Sequence, residues 1–346
     1  MCNIAGYNGY RNAAPILIDM VRRQENLDGG LSTGIATIHN GILYYAKVVG
    51  NVDDLIEKTD ALKFPGKIGI IHSRPDGNYK EFAHPFVSGN KKTALVSNGN
   101  LCSDGMLACI RNSITEFLHR QYIEFDSAMN LPQSPYPQLK DGRYVAYGEA
   151  VVKTVEYSHS ISSMRYEDIM ADVAGKFFSD VVNVMITANE PDNIYVARIS
   201  RPMNILTMPG ETYISTSQFG FPEGAPVQNM KSLPQMKSCV VTKEGFYETS
   251  YPISGGKVTD YTNEEYNDIK EKLRQQLKEK PTSMNSIGGG IFTLDRSANG
   301  LRPHVKAIYD ALWDFHCEGV LKTETKPDEI PWAPGTIVNR TFFSIN

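Results

Sequence analysis

The second residue of this chain offers more chemistry than any other. Cys2 is small enough for methionine aminopeptidase to remove Met1 ahead of it, which would leave a thiol and a free α-amine on one residue. With a reference pKa of about 7.7–8.0, the amine can take the thiol proton without a separate histidine. The segment Cys2-Asn3-Ile4-Ala5-Gly6-Tyr7 runs directly into an apolar strand pattern, so the nucleophile would sit on a rigid element and not on a frayed tail. Three other stretches carry chemistry-bearing side chains in a suggestive order: Gly69-Ile70-Ile71-His72-Ser73-Arg74, Ala83-His84-Pro85-Phe86-Val87 and Ala94-Leu95-Val96-Ser97-Asn98-Gly99-Asn100-Leu101. Taken singly, each has a plain reading. Arg74 could make a surface ion pair, Asn98-Gly99 is the commonest hairpin turn, and His72 and His84 read as hydrogen-bonded structural histidines.

The elements that would position these residues are legible as strands at Ile4–Tyr7, Gly34–Ile38, Ile42–Val48, Ile68–His72, Thr93–Val96, Asn193–Ile199, Asn204–Met208 and Thr212–Ser215. Helical spacing places Ile16, Leu17, Met20 and Val21 on one face, and Met106, Cys109, Ile110, Ile114 and Leu118 on another. A third helix is expected over Tyr166–Phe178. Strands in consecutive groups separated by helices predict an α+β fold with layered packing, not strict βαβ winding. Asp126–Gly142, with three prolines and little periodicity, reads as an inserted surface loop.

After Gly256 the character changes. A Thr262/Glu265 capping box opens a helix to Lys280 with Ile269, Leu273 and Leu277 in a row, and Pro281 stops it. Gly288–Gly290 reads as a flexible connection. A second helix spans Pro303–Cys317 with Val305, Ile308, Leu312 and Phe315 on one face and Gly319 as its cap, and β-like runs follow at Val320–Thr323 and Thr336–Ser344. This order resembles a winged-helix module and divides the chain into 1–255 and 256–346. Ser254-Gly255-Gly256-Lys257-Val258-Thr259-Asp260 superficially resembles a pyrophosphate loop, but with its aspartate misplaced and a polar turn context around it, it reads as a hairpin or linker.

Taken together, the four N-terminal segments resemble the glutaminase domain of class II (N-terminal nucleophile) glutamine amidotransferases. That family's pattern is Met-Cys-Gly-Ile, Gly-x-x-His-Thr/Ser-Arg, His-Pro, and a strand ending in His-Asn-Gly. Asp192–Ser217 (DNIYVARISRPMNILTMPGETYISTS) resembles the family's later hairpin, so the likeness runs from about residue 2 to 250. It implies an N-terminal nucleophile hydrolase four-layer α/β/β/α sandwich, followed here by the small winged-helix-like domain. It also implies that Cys2 forms a γ-glutamyl thioester, that Asn98 (side chain) and Gly99 (N–H) make the oxyanion hole, and that Arg74, with His72 beside it, binds the substrate and grips its α-carboxylate.

Three departures stand out. Asn3 occupies the family's glycine position and is expected to crowd the backbone beside the nucleophile. Pro75-Asp76-Gly77 is shorter than the family's loop after the arginine. The acidic motif that receives the substrate ammonium has no clean copy, leaving Glu149 as first candidate and Asp126 as second.

Bulk properties narrow the setting. At 346 residues, with 41% hydrophobic and 21% charged residues, the chain can build a large and a small core, and disorder cannot dominate. A net charge of −4 creates no field that would hold the whole molecule on nucleic acid or an anionic membrane. Five scattered cysteines form no disulfide framework or metal spacing, and no run nears the roughly 18 apolar residues of a membrane span, so the cytoplasm is the expected compartment. No cofactor or metal is called for. The expected function is ammonia release from glutamine or a related amide. No acceptor domain is recognisable after residue 256, so ammonia would pass to a separate synthase subunit or the protein would be a free-standing amidohydrolase; the reading leaves room for a homo-oligomer. The alternative is a catalytically weak or inactive glutamine sensor whose winged-helix-like tail binds a protein partner or DNA. Its basic residues Arg302, His304 and Lys306 are opposed by Asp310, Asp314 and Glu318, which favours a protein partner over nucleic acid.

Overall fold

The computed structural model describes residues 2–76, 79–102, 104–287, 291, 300–330 and 334–345. Met1, Gly77 and Gly288–Gly290 lie outside the described residues. In chain order the first strands are β1 (Asn3–Asn8), β2 (Ser32–His39), β3 (Ile42–Val49), β4 (Ile68–Arg74), β5 (Phe86–Val87) and β6 (Thr93–Asn100). There follow β7 (Asp180–Thr187), β8 (Glu190–Arg198), β9 (Asn204–Met208), β10 (Glu211–Ser215), β11 (Met230–Ser232), β12 (Lys237–Thr242) and β13 (Gly245–Glu248). The helices among them are α1 (Ala13–Arg22), α2 (Glu25–Asp28), α3 (Val52–Lys58), α4 (Gly105–Arg120), α5 (Tyr147–Ile161) and α6 (Tyr166–Lys176).

Among the described residues these strands make one sheet in the order β11-β9-β10-β1-β4-β2-β3 and another in the order β13-β12-β8-β7-β6-β5. Strand alternation decides what each face buries. Ile4, Ile70 and Ile214 of the first sheet meet Ala94, Val96, Val184 and Val196 of the second in one apolar layer. The opposite face of the first sheet (Ala5, Tyr7, Ile35, Ile71) packs on Leu17, Val21 and Leu55 of α1 and α3. Leu95, Met185, Tyr195 and Val240 turn from the second sheet toward Val151, Val155, Ile169 and Val173 of α5 and α6. Helices, sheet, sheet, helices is the four-layer order expected.

Two large elements escaped the sequence reading. β7 (DVVNVMIT) is a near-continuous apolar run, as befits a strand buried on both faces. α5 has no side-chain N-cap bond and is rich in β-branched residues, so neither its start signal nor its propensity marks it. The face expected for α4 is a correction: Met106 is 70% exposed, Cys109 is exposed and Ile110 is 36% exposed, while Leu107, Arg111, Thr115 and Leu118 are buried. The cause is Arg111, which is 1% exposed and donates to the Cys102 carbonyl from inside the helix layer. Rotating the expected face inward would leave that guanidinium nowhere to go.

The C-terminal elements are α7 (Asn263–Glu279), β14 (Thr282–Ser283), α8 (His304–Cys317), β15 (Leu321–Glu329) and β16 (Ile337–Ile345), with sheet order β14-β16-β15. The capping box at α7 forms in both directions, with Glu265 N–H donating to Thr262 Oγ1 at 3.2 Å and Thr262 N–H to Glu265 Oε2 at 2.8 Å. Leu273, Leu277, Leu312 and Phe315 share a core with Phe343 and Ile345, and Leu27 of α2 enters that same core. The C-terminal elements are thus packed into the sandwich, not tethered to it.

Candidate active site

Alternation along β1 and β6 carries the inter-sheet face outward from Ile4 and Val96 to Cys2 and Asn98, so these two residues close one end of the sandwich. They are bonded reciprocally. Cys2 N–H donates to Asn98 Oδ1 at 3.2 Å, and Asn98 Nδ2 donates to the Cys2 carbonyl at 2.8 Å. Asn98 therefore holds both backbone polar atoms of Cys2, and its amide nitrogen keeps a second N–H. The hairpin reading of Asn98-Gly99 gives way: both residues lie within β6, opposite Val182 and Val181. Gly99 must be glycine here, because a Cβ would stand 2.0 Å from the Asp180 carbonyl oxygen.

β5 pairs with β6 only at Leu95 and Ala94, so the β6 edge beyond them lacks a strand partner. Two histidines replace it: Ser97 N–H donates to His84 Nδ1 at 3.2 Å, and His72 Nε2 bonds the Ser97 carbonyl at 3.1 Å. Their rings stack with centroids 4.0 Å apart. Burial, with help from nearby Arg74, pushes the His72 pKa down to about 3, and burial holds His84 well below its usual value, so both stay neutral. Because amides along an edge point outward at every second residue, the Gly99 N–H projects beyond this histidine pair into the cavity that Gly99 lines.

That cavity, about 90 Å³, is also lined by Cys2, Arg74, His84, Tyr136, Ala146, Tyr147 and Gly148. It has room for several waters or a small polar substrate. The Asn3–Ser73 pairing of β1 with β4 sets Arg74 opposite Cys2. Its guanidinium is aimed by the Phe82 carbonyl at 2.6 Å and Asp76 Oδ2 at 2.8 Å, with Tyr136 as a further partner. The uncapped N-terminus of α5, at Ala146 to Gly148, faces the same space. A guanidinium and a helix N-terminus converging on one cavity favour an anionic group there. Burial raises the Cys2 thiol pKa, while the positive charges of Arg74 and Arg201 pull the other way.

The structure brings Cys2, Arg74, Asn98 and Gly99 together and sets His72 behind them as edge partner of β6. It does not bring Glu149 into the cavity. Buried at 2% exposure, that carboxylate accepts the N–H groups of Asp126 (2.7 Å) and Ser127 (2.9 Å) and the Ser127 hydroxyl, and pairs with Lys153 Nζ at 2.9 Å. It fastens the start of the 126–142 loop. Asp126 is exposed and lines an outer groove instead. Among the described lining residues no carboxylate is available to a substrate ammonium. Asn3 does not crowd the nucleophile; its side chain turns to the helix side of the sheet, where the missing Cβ of Gly29 makes room. Tyr136 was missed by sequence reasoning. The loop carries it onto Phe82 (ring centroids 5.1 Å) and over Arg74, and nothing in its local sequence signals that contact.

No family model matches the chain. Curated relatives include glutamine–fructose-6-phosphate aminotransferase (isomerizing) of Pyrococcus horikoshii, 26% identical over 223 residues, covering 62% of this chain and 32% of the relative. The enzyme of that name from Thermosynechococcus vestitus is 36% identical over 102 residues, 29% of this chain and 16% of its own. That of Staphylococcus aureus (strain Mu50) is 27% identical over 209 residues, 59% and 30%. The chain thus matches only 16–32% of the length of these relatives. Among solved structures, glutamine phosphoribosylpyrophosphate amidotransferase from B. subtilis superposes with a TM-score of 0.56 at 17% identity, over 80% of this chain and 58% of that one. The allosteric regulatory enzyme of purine biosynthesis gives 0.54 at 16%, again over 80% and 58%. This likeness establishes the mixed α/β fold, shared with N-terminal nucleophile amidotransferases.

Proposed function

Because the chain is related to the class II glutamine amidotransferases, we propose that it releases ammonia from glutamine or a closely related amide through Cys2. In this reading Met1 is removed and the Cys2 α-amine takes the thiol proton. Sulfur attacks the side-chain amide carbon, and the carbonyl oxygen becomes an oxyanion that accepts hydrogen bonds from the second N–H of Asn98 Nδ2 and from Gly99 N–H. Each such donor is worth about 2.7–4 kcal/mol of transition-state stabilisation. The α-ammonium returns its proton to the departing nitrogen, the C–N bond breaks and ammonia leaves, with the γ-glutamyl group bound to sulfur as a thioester. Water then cleaves the thioester to glutamate and the free thiol.

Arg74 and the N-terminus of α5 hold the α-carboxylate. His72 keeps the β6 edge in place, and Glu149 serves by anchoring the loop that presents Tyr136. The observation that carries this reading is the placement of Cys2 across a cavity from Arg74, with its own backbone held by Asn98.

The two units are 1–255 and 256–346. The second is winged-helix-like in its order α7, β14, α8, β15, β16, and it serves as a docking unit, since α8 buries one face (Ala307, Ile308, Ala311, Leu312 and Phe315) inside the molecule and Arg302 and Lys306 are paired with Glu265 and Asp310. The ammonia acceptor lies outside these 346 residues, or it is water. Processed protein should release ammonia from glutamine, and diazo-oxo-norleucine should label Cys2 by mass spectrometry. Cys2→Ala should abolish both while melting as the parent does. Absence of ammonia from glutamine, asparagine and related amides in the parent would overturn the reading.

A further inference from the structure

The helix α4 turns an uncharged face to solvent. From Gly105 to Phe117 its exposed residues are Gly105, Met106, Cys109, Ile110, Ser113 and Phe117, with Met106 at 70%, Ile110 at 36% and Phe117 at 39%. No charged side chain falls on that face before Arg120, whereas the exposed side of α7 carries Glu264, Asp268, Glu271, Lys272 and Lys278. A helix side that ends at water is normally polar and charged, as on α7. The Tyr157 ring of α5 stands edge-on to Phe117 with centroids 5.5 Å apart and continues the apolar strip, and Ile161, 67% exposed, lies one turn further along α5. Met106, Cys109 and Ile110 are the residues that helical spacing assigned to the core and that buried Arg111 turned outward.

Met106, Ile110, Ser113 and Phe117 recur at steps of four, three and four, the rhythm of a seam between two helices crossing at a shallow angle. Laid antiparallel on an identical helix, about a two-fold axis level with the Arg111–Asn112 peptide, Met106 falls opposite Phe117 and Ile110 opposite Ser113. Each pairing occurs twice: a thioether meets an aromatic ring, and a branched side chain meets a small one that leaves it room. The ends match as well. Asp104 caps α4 with Oδ1, accepting the Met106 N–H at 2.9 Å and the Leu107 N–H at 3.2 Å, and its other oxygen bonds nothing among the described residues. At the far end the Arg120 side chain is 62% exposed and held only by Glu116 at 3.9 Å. In the antiparallel arrangement Arg120 of one copy comes beside Asp104 of the other and the helix dipoles oppose, whereas a parallel one sets like charge against like.

We propose that α4 is the contact of a symmetric dimer of this chain, in which a second copy lays its own α4 antiparallel along the Met106–Phe117 seam. A second copy is the occupant because the face complements itself: the same four residues supply both sides of every seam contact, and the same helix supplies both the acidic and the basic end. With 16 residues, α4 offers about 24 Å of seam per copy. That length suits a compact interface at the low end of stable dimers, one that associates in the micromolar range. The dimer goes beyond the chemistry proposed for Cys2 and does not rest on it.

Sedimentation velocity of the full chain should show a dimer at micromolar concentration. In that register the two Cys109 positions lie about 7.5 Å apart along the paired helices. A short bismaleimide should therefore join Cys109 to Cys109, a product that peptide mass spectrometry identifies, while exposed Cys317 gives no such homodimeric link. Ser113→Glu and Ile110→Lys should each weaken dimerisation about tenfold or more, and the circular dichroism of the dilute variants should match the parent. Mixed in equal amounts, the two variants should associate again as a heterodimer, because the introduced carboxylate of one then faces the introduced ammonium of the other. Should either variant fail to fold, Met106→Glu, at the most exposed position of the seam, should show the same weakening. A parent that stays monomeric, a dimer that Ser113→Glu and Met106→Glu leave intact, or folded variants that do not associate on mixing would overturn the proposal. None of these readouts involves ammonia release, so the glutaminase reading stands or falls separately.

Discussion

Arg74 and His72 sit two positions apart on β4 and have opposite duties. Arg74 spends two of its donors on the Phe82 carbonyl and Asp76, which leaves the rest of a rigid, aimed fork toward the cavity. Arg74→Lys keeps the charge and loses the fork. Steady-state kinetics should show KM for glutamine rising tenfold or more, with a stability loss of no more than about 1–2 kcal/mol from the lost carbonyl bond. His72 should declare itself through pH. Its folded pKa of about 3 lies below the unfolded value of about 6.5, so between these the unfolded chain binds more protons and stability falls as pH drops through that window. The slope is up to about 1.4 kcal/mol per pH unit for the one group. Glu25 works against it: burial raises its pKa to about 7, so its contribution is lost as pH rises from about 4.5 to 7. Comparison with His72→Asn separates the two, because Glu25 titrates in both proteins. The variant, referred to its own Tm at pH 7, should lose less on acidification to pH 5 than the parent.

At the scale of elements, β6 and the N-terminal turn of α5 do most to shape the site, and each has a residue that tests it. Gly99→Ala would force a Cβ to within 2.0 Å of the Asp180 carbonyl, and neither strand of that pair can yield without moving Asn98. Ammonia release should fall by at least a hundredfold, with a stability loss of about 1–3 kcal/mol measured by denaturant unfolding. Glu149 is set by four donors from Asp126, Ser127 and Lys153, one turn into α5. In Glu149→Gln an NH₂ group replaces an accepting oxygen, which opposes a donor and removes the charge beside buried Lys153. The expected outcome is a stability loss of about 3 kcal/mol together with a raised KM, because the loop carrying Tyr136 loosens. A raised KM at unchanged stability would instead mark Glu149 as the receiver of the substrate ammonium.

Over the whole molecule, the C-terminal module is built into the sandwich by apolar contacts at two places. Leu27 of α2 belongs to the core formed by α7, α8 and β16, and Phe219 packs against Trp313, His316 and Phe343. A chain ending at Ser254 would expose Leu27 and Phe219 to water, and Phe219 lies in the segment that follows Thr216, the partner of the Ile4 backbone. Such a fragment should melt at lower temperature than the full chain, bind a hydrophobic dye and release ammonia poorly. Cooperative melting at the parental temperature with full ammonia release would show that 256–346 is dispensable. No described helix is long and apolar enough to cross a membrane. The helix that would enter a DNA groove in a winged-helix reader is covered here by the 218–219 segment.

What was legible in the sequence was whatever depends on near neighbours or on an ordered set of motifs. The strand patterns of β1 and β4 put Cys2 and Arg74 at strand ends, and the Thr262–Glu265 box closed within one turn of α7. Such features are set by bonds a few residues long, so composition and spacing carry them. What tertiary structure alone decided depends on long-range neighbours. Periodicity gave α4 a face but not the buried Arg111 that turned the helix about. A carboxylate at position 149 looked available until the backbone of 126–127, more than twenty residues away, claimed it. Tyr136 carries no local signal, because a tyrosine's role is fixed by what its hydroxyl meets, and here that is Arg74 across a folded loop.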